Sequence, residues 1–243
     1  MGCTGSTINH VYPTQNYRNT KTSHTKNFIL GIINPQNDFF QSGSLAIANS
    51  NEIIGPINKL RYIISDKINT FISMDSHPFD HFSFASTHNK EPYTTITNDI
   101  VESEQILWPI HCVSDTCGFQ IHPHLIIKPR DWKIMKGTLK NIESYSAFGD
   151  EFWNIYEKTR LYNLLKKLKH TDIILVGLTM DYSIYYTTLD ALRYEYQVHI
   201  ILSCTRGVDE NTTLNAIKHL KSLSGIHFYH DIEDFLFMHN MLI

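Results

Sequence analysis

Carboxylate and imidazole side chains that could bind a metal ion occur close together in this sequence. Asp75 and His77 lie two residues apart directly after a predicted strand, and His111 follows in a long irregular stretch. One carboxylate and two imidazoles, with water in the remaining positions, suit zinc, iron or manganese. His81 could add a further ligand. Any one of the 14 histidines is more often a hydrogen-bonded surface residue, but Asp75, His77 and His111 together favour a metal site.

Ser183 is a candidate nucleophile. It follows an apolar run at 173–176 and Gly177, and it precedes a helical pattern. A strand that leads through a tight turn into a helix directs the first backbone N–H groups of the helix towards one place, which favours negative charge. A nucleophile and an oxyanion hole are usually built there. The alternative is that Ser183 only caps the helix.

Lys136 is a candidate proton carrier. It ends another predicted strand, directly before Gly137, so its ammonium group should be partly buried. A buried lysine without a partner loses its proton readily. The alternative is a surface lysine whose apolar stem packs on the protein while its charged end reaches water.

Strand and helix patterns alternate along the chain. Continuous apolar runs are typical of strands buried on both faces, and apolar residues three and four apart are typical of helices packed on a sheet. This alternation predicts the α/β class, a three-layer α/β/α fold with a mostly parallel central sheet. Residues 75–130 lack periodicity, and such long irregular segments are more often functional than accidental. The predicted strands are 28–33, 70–74, 132–135, 173–176, 198–202 and 226–229, and the predicted helices are 53–64, 161–168, 185–192, 214–220 and 232–238.

Four polar clusters follow four of these strands. They contain Asn34, Asp75, Lys136 and Ser183. In parallel sheets ligands bind beyond the carboxyl ends of the strands. The sequence therefore predicts that these four side chains meet at one edge of the sheet.

The composition is that of an ordinary globular protein, with 42% hydrophobic and 19% charged residues and a net charge of −3. It offers no excess of positive charge for binding nucleic acid. The four cysteines show no spacing typical of a disulfide framework, so we expect a reducing compartment and a cytoplasmic location. No apolar run approaches the roughly 18 residues of a membrane span.

Residues 1–26 lack periodicity and are predicted to be a flexible tail, whereas 27–243 form a single domain. Gly2 and Cys3 match the pattern for myristoylation followed by palmitoylation. Two acyl chains would anchor the protein peripherally to a membrane, whereas one binds only marginally. The alternative is a chance match to a short pattern, and membrane partition of Gly2→Ala would separate the two.

Several motifs occur together in a fixed order over roughly residues 28–230, and together they resemble the nicotinamidases of the isochorismatase-like hydrolase superfamily. Their number makes the resemblance far more specific than a single motif would be. The matching pieces are Pro35-Gln-Asn-Asp-Phe39, Asp75-Ser-His-Pro78, His81-Phe-Ser-Phe-Ala85, Glu91-Pro-Tyr93, Trp108-Pro-Ile-His-Cys112, Lys136-Gly137, Ser144-Tyr-Ser-Ala-Phe148, Val176-Gly-Leu-Thr-Met-Asp-Tyr182 and Thr205-Arg-Gly-Val208.

The resemblance implies hydrolysis of nicotinamide to nicotinate and ammonia in NAD salvage. It implies a metal ion that holds the pyridine nitrogen of the substrate, and a cis peptide bond at Leu178–Thr179. The implied metal ligands are Asp75, His77 and His111, with His81 as an occasional addition. The implied substrate-binding residues are Phe39, Trp108 and Tyr145, and the implied oxyanion hole consists of the backbone N–H groups of Thr179 and Ser183.

Two residues depart from the catalytic triad of that family, which is aspartate, lysine and cysteine. Asn34 stands where the aspartate belongs and Ser183 where the cysteine belongs, so only Lys136 is kept. Asparagine cannot take a proton, and a hydroxyl is far harder to ionise than a thiol, whose free pKa is roughly 8.5. Losses within catalytic triads lower turnover by about 10⁴–10⁶. Cys112 and Cys117 are unsuited as replacements, because the first belongs to the motif and the second lies in none.

The two changes could instead be coupled. Without a carboxylate at Asn34 to keep it protonated, Lys136 could act as a neutral base for Ser183, as in the Ser–Lys pairs of other hydrolases. We therefore favour a nicotinamidase-type amide hydrolase that uses a Ser183/Lys136 pair. The main alternative is a catalytically impaired protein that binds nicotinamide or nicotinate. A vinyl-ether hydrolase is a third, weaker alternative, since it relies on the aspartate that Asn34 replaces.

Overall fold

The computed structural model describes residues 26–64, 67–100, 102–149 and 158–241. Six parallel strands form one sheet in the order β5-β2-β1-β6-β7-β8, and β3 and β4 form an antiparallel hairpin. The strands are β1 Phe28–Ile33, β2 Asn69–Asp75, β3 Thr95–Asn98, β4 Ser103–Ile106, β5 Trp132–Lys136, β6 Asp172–Leu178, β7 Gln197–Arg206 and β8 Ile226–Tyr229. The α-helices are α1 Ile54–Ile64, α2 Leu161–Leu168, α3 Tyr185–Arg193, α4 Glu210–Lys221 and α5 Ile232–Met238.

The central strands are buried on both faces, as their apolar runs predict. Every residue of β1 and β6 is buried. In β1, Leu30 and Ile32 belong to one hydrophobic cluster, whereas Ile29 and Ile33 belong to the other. Because successive side chains of a strand point to opposite faces, the sheet separates two cores that helices cover. The predicted three-layer α/β/α fold with a parallel central sheet is confirmed.

The strand order sets the positions of the polar residues. The strands β5, β2, β1 and β6 are consecutive neighbours in the sheet. Asp75 and Lys136 are directly paired in the register of β2 and β5. The backbone N–H of Asn34, just beyond β1, donates to the Ser73 carbonyl of β2 at 3.0 Å. Side chains from these strand ends therefore lie within reach of one another.

Three local features differ from the sequence prediction. The hairpin β3–β4 lies within the stretch predicted to be irregular, because its strands are short and only partly buried and carry no regular alternation of apolar residues. Leu214, predicted to face the core, is 58% exposed, and α4 packs through Ala216 and Leu220 instead. Ser183 lies inside a single wide turn, Met180–Ile184, before α3, and its side chain does not cap the helix.

The predicted tail and its Gly2 and Cys3 lie outside the described residues, apart from Lys26. Within the part of the chain that the structure describes, none of the helices has both the length and the apolarity to cross a membrane.

Gly177 permits the close contact between β1 and β6 beside the site. Its φ is +109°, and a Cβ atom there would lie 2.2 Å from the Ile33 carbonyl oxygen. We expect Gly177→Ala to lower the free energy of unfolding by about 2–4 kcal/mol, through backbone strain and overpacking. The matched control is Gly55→Ala in α1, where a Cβ meets nothing within 4 Å, and a gain of about 0.5–1 kcal/mol is expected from helix propensity. Denaturant unfolding measures both, and equal effects would mean that the strands tolerate a side chain at Gly177.

Candidate active site

Asn34, Asp75, Lys136 and Ser183 meet in one buried network, and none of them is more than 4% exposed. The Asn34 amide nitrogen donates to Asp75 Oδ2 at 2.8 Å and to Ser183 Oγ at 3.0 Å, so both of its hydrogens have acceptors. Asn34 has a φ of +46°, a conformation that asparagine adopts more readily than most residues. The structure thus brings together the four residues expected at this edge.

Lys136 takes its carboxylate partner from β2. Its ammonium donates to Asp75 Oδ1, to the Ser144 carbonyl at 3.0 Å and towards Ser183 Oγ at 3.5 Å. Burial alone would raise the pKa of Asp75, but the Lys136 ammonium, helped by the two nearby histidines, holds this pKa below its ordinary value. The expectation that Asn34 leaves Lys136 without a carboxylate therefore needs correction, because Asp75 provides one.

Asp75, His77 and His111 could hold a divalent cation. One ligand atom from each lies within 4.8 Å of the others. His77 Nδ1 lies 2.8 Å from the Gly137 carbonyl, and His111 Nδ1 lies 2.8 Å from the Pro109 carbonyl. Since a carbonyl only accepts, each Nδ1 carries the hydrogen and each Nε2 presents a lone pair.

The electrostatics of these imidazoles also suit a metal ion. His77 Nε2 is buried without a hydrogen-bond partner. Burial and the neighbouring His81 lower the pKa of His77 to about 3, and burial and His77 lower the pKa of His111 to about 4. Both rings are therefore neutral at pH 7, which is the form that binds a metal ion. The donor set fits a divalent cation.

His81 does not join that set in the structure. The Ser83 backbone N–H donates to His81 Nδ1 at 3.3 Å, and His81 Nε2 lies 3.1 Å from the Ile142 carbonyl, to which it must donate. Both ring nitrogens are thus engaged. His81 belongs to a second group of possible metal ligands, with His77 and Glu143. Its role as an occasional ligand stays a prediction; its ring packs against that of His77, with ring centroids 4.2 Å apart.

Aromatic side chains line a cleft that contains Ser183. Trp108 Nε1 donates to the Tyr145 hydroxyl at 3.0 Å, and Gln105 donates to the same oxygen at 3.2 Å. The Tyr182 ring stands edge-on to Trp108 at 4.9 Å. The cleft is lined by Phe39, Leu45, Asp75, Trp108, His111, Glu143, Tyr145, Thr179, Tyr182, Ser183 and Val208.

Four lining residues were not identified as site residues from the sequence. Tyr182 and Val208 belong to motif pieces that match the family, so the motifs could have indicated them. Leu45 and Glu143 lie in segments without any motif, and nothing in the sequence pointed to them.

The turn that carries Ser183 begins at Thr179. The Thr179 carbonyl accepts from the backbone N–H groups of Tyr182 at 3.3 Å and Ile184 at 2.9 Å. The peptide bond between Leu178 and Thr179 is cis, as the resemblance implied. An oxyanion hole formed by the backbone N–H groups of Thr179 and Ser183 stays a prediction, although both residues line the cleft.

Neither cysteine of the insert is placed to replace the missing thiol. Cys112 is fully buried, and burial, with Asp75 and Asp38 nearby, raises the pKa of its thiol well above the ordinary value. Cys117 is exposed and lies by the Asn37 side chain. Ser183 is therefore the hydroxyl or thiol that the structure places against Lys136.

Known proteins with the same architecture were found by sequence and by structure. The isochorismatase domain family matches residues 28–228. A nicotinamidase of Acinetobacter baylyi is 32% identical over 195 residues, which cover 80% of this chain and 88% of that protein. The yeast nicotinamidase bound to the inhibitor nicotinaldehyde is 30% identical, with a TM-score of 0.76 over 83% of this chain and 98% of that one. The pyrazinamidase of Pyrococcus horikoshii in complex with zinc shares the fold, with 23% identity and a TM-score of 0.68 over 84% of this chain and 98% of that one.

Removal of one imidazole should disable the cation site. We expect His111→Ala to weaken zinc binding by about 100-fold or more, because two of three protein ligands remain. The matched control is His124→Ala, at an exposed histidine of the same insert. Competition with a chromophoric chelator measures both affinities. Equal affinity for His111→Ala and the unmodified protein would exclude His111 as a ligand.

The lowered pKa values also predict how zinc affinity depends on pH. Imidazoles with the ordinary pKa of 6.5 would bind protons, and so lose zinc, as the pH falls below 6.5. Here the pKa values of about 3 and about 4 postpone that competition to much lower pH. We expect zinc affinity to change less than about threefold between pH 7.5 and 5.5. A hundredfold loss over this range in the same chelator assay would contradict the buried, neutral histidines.

Proposed function

The chain belongs to the isochorismatase family and to its nicotinamidase branch, and from this premise we propose that it hydrolyses nicotinamide to nicotinate and ammonia. The observation that carries the proposal is the contact between Ser183, Asn34 and Lys136 beneath the aromatic cleft. A nucleophile, a hydrogen-bond donor to it and a proton carrier are the parts that acyl transfer needs.

The aromatic lining of the cleft suits a flat aromatic substrate. Phe39 and Trp108 would contact the two faces of the pyridine ring, and the hydrogen bond from Trp108 to Tyr145 fixes the indole plane. Asp75, His77 and His111 would hold one divalent metal ion, for which zinc is our first choice and iron or manganese the alternatives. The ion would act as a Lewis acid that binds the pyridine nitrogen.

The chain's own residues would carry out two steps. In the first, Ser183 Oγ attacks the carboxamide carbon while its proton passes to the amine form of Lys136, and Lys136 then gives that proton to the amide nitrogen, so that the C–N bond breaks and ammonia leaves. In the second, water gives a proton to Lys136 as its oxygen attacks the carbonyl carbon of the Ser183 ester. Lys136 returns that proton to Ser183 Oγ as the ester bond breaks, and nicotinate is released. Asn34 donates to Ser183 Oγ throughout, so it orients the hydroxyl and stabilises the developing alkoxide. The backbone N–H groups of Thr179 and Ser183 would stabilise the oxyanion.

One observation favours a second candidate function. Lys136 forms an ion pair with the Asp75 carboxylate, and the ammonium group of an ion pair has no lone pair with which to accept the Ser183 proton. In that state the chain would bind nicotinamide or nicotinate without rapid turnover. We keep hydrolysis as the leading proposal, because the nucleophile, the donor and the lysine are all in contact. NAD salvage in the cytosol is the context proposed for either activity.

Ammonia release from nicotinamide by the zinc-loaded protein tests this proposal. We expect measurable turnover, and a loss of about 10³-fold or more in kcat for Ser183→Ala, because that residue forms the covalent intermediate. Ser86→Ala is the matched control at an exposed serine. We also expect the double variant Asn34→Asp with Ser183→Cys to exceed the parent, since it restores the family's carboxylate and thiol.

The outcomes separate the two candidate functions. A parent that is inert and binds nicotinamide, together with an active double variant, would support the binding protein and overturn hydrolysis. Absence of nicotinamide binding in all variants would overturn both.

A further inference from the structure

Asp181 is a buried carboxylate close to the site that the proposed chemistry does not use. It is 7% exposed and belongs to the same turn as Ser183. Both of its oxygens accept the backbone N–H of Val208 at 3.0 Å. Oδ2 also accepts the hydroxyl of Thr212 at 2.6 Å and the backbone N–H of Asp209 at 3.3 Å.

These contacts join two walls of the cleft. Ser183 lies two residues after Asp181, and Val208, which donates to both carboxylate oxygens, lines the same cleft. The approach depends on the glycine before Val208, because a Cβ at Gly207 would lie 3.2 Å from Asp181 Cγ and 1.7 Å from the Thr213 hydroxyl. Asp181 also lies at the N-terminal end of α4, where negative charge is stabilised by the helix dipole.

We propose that Asp181 is a positioning residue, which holds Val208 against the ring-binding cleft at a fixed distance from Ser183. This inference rests on the proposed function, because it assumes that the cleft holds the nicotinamide ring. The carboxylate suits this task, since it is an acceptor at every oxygen and all four of its closest partners are donors.

Replacement of Asp181 by asparagine keeps the shape of the side chain but puts a donor NH₂ group in place of one acceptor oxygen. The Val208 N–H lies 3.0 Å from both carboxylate oxygens, so in either orientation of the Asp181→Asn side chain the new NH₂ group faces that donor, and residues 207–209 must shift away. Val208 would move with them. The predicted consequence is weaker binding of the substrate ring, which appears in KM more than in kcat.

The test measures nicotinamide affinity by calorimetry in the zinc-loaded full chain carrying Ser183→Ala, so that no turnover interferes. We expect Asp181→Asn to weaken binding by about tenfold. The matched control is Asp209→Ala, because Asp209 caps the same helix through Asn211 and Thr212 and its side chain does not bind Val208. Asp209→Ala should bind nicotinamide with an affinity within about twofold of that of the Ser183→Ala parent. Its thermal stability should fall by about as much as that of Asp181→Asn. Equal affinity losses in the two variants would overturn the inference.

A double-mutant cycle adds a measurement that a general loss of stability would not change. Val208→Ala should weaken binding by itself, and adding Asp181→Asn should weaken it by no more than about twofold further, because both changes remove one contact. Fully additive losses would overturn the inference. If Asp181→Asn does not fold, Gly207→Ala takes its place. The added Cβ would lie too close to Thr213 and Asp181, so that residues 207–209 would also have to move.

The parent's ammonia release is measured in parallel, so that the two proposals can fail separately. An inert parent that binds nicotinamide with the expected pattern of variants would overturn hydrolysis and support the role of Asp181. If the parent hydrolyses nicotinamide and Asp181→Asn leaves KM and affinity unchanged, hydrolysis would be supported and the role of Asp181 overturned.

Discussion

The Asp75 carboxylate is the group on which the arrangement of this site depends. One oxygen accepts from Lys136, the other accepts from Asn34, and both imidazoles lower its pKa. Taking a lysine and a carboxylate out of water is costly, and removing one partner of such a pair typically costs about 3–5 kcal/mol. Asp75 offsets that cost for Lys136 and is at the same time the possible oxygen ligand of the candidate cation site. The proposed catalytic and metal-binding parts of the site would therefore share one residue.

The sheet order explains how one carboxylate reaches all these partners. Lys136 and Asp75 end β5 and β2, and Asn34 and Ser183 follow β1 and β6. These four strands are consecutive neighbours, so each residue is one strand from the next. Adjacent strands lie about 4.8 Å apart, which is the span that short polar side chains bridge with direct hydrogen bonds. Insertion of another strand between β2 and β1 would double that distance and separate Asp75 from Asn34. The topology is thus a condition for the chemistry, and it is fixed by the two hydrophobic cores on either side.

The sequence was sufficient to predict the central sheet and the four polar residues that meet at its edge. The apolar runs of β1 and β6 were unambiguous because both faces of these strands are buried. The hairpin β3–β4 differs from the prediction because its short, only partly buried strands carry no such pattern. The contacts of His81 and the carboxylate partner of Lys136 depend on which side chains meet across strands and turns. Local sequence pattern does not contain that information, although the residues that the motifs selected do lie together.

A metal ion held by the shared carboxylate would link metal occupancy to the state of the proposed nucleophile. An ion that drew electron density from Asp75 would make that carboxylate a poorer acceptor for Lys136 and Asn34, and both donors would then bind Ser183 more strongly. Thermodynamic reciprocity then requires that whatever alters the serine side of the network also alters affinity on the metal side. The site would then be one electrostatically coupled network. Removal of the metal ion by a chelator would change the hydrogen bonds of the Ser183 hydroxyl, although the chelator does not contact that group.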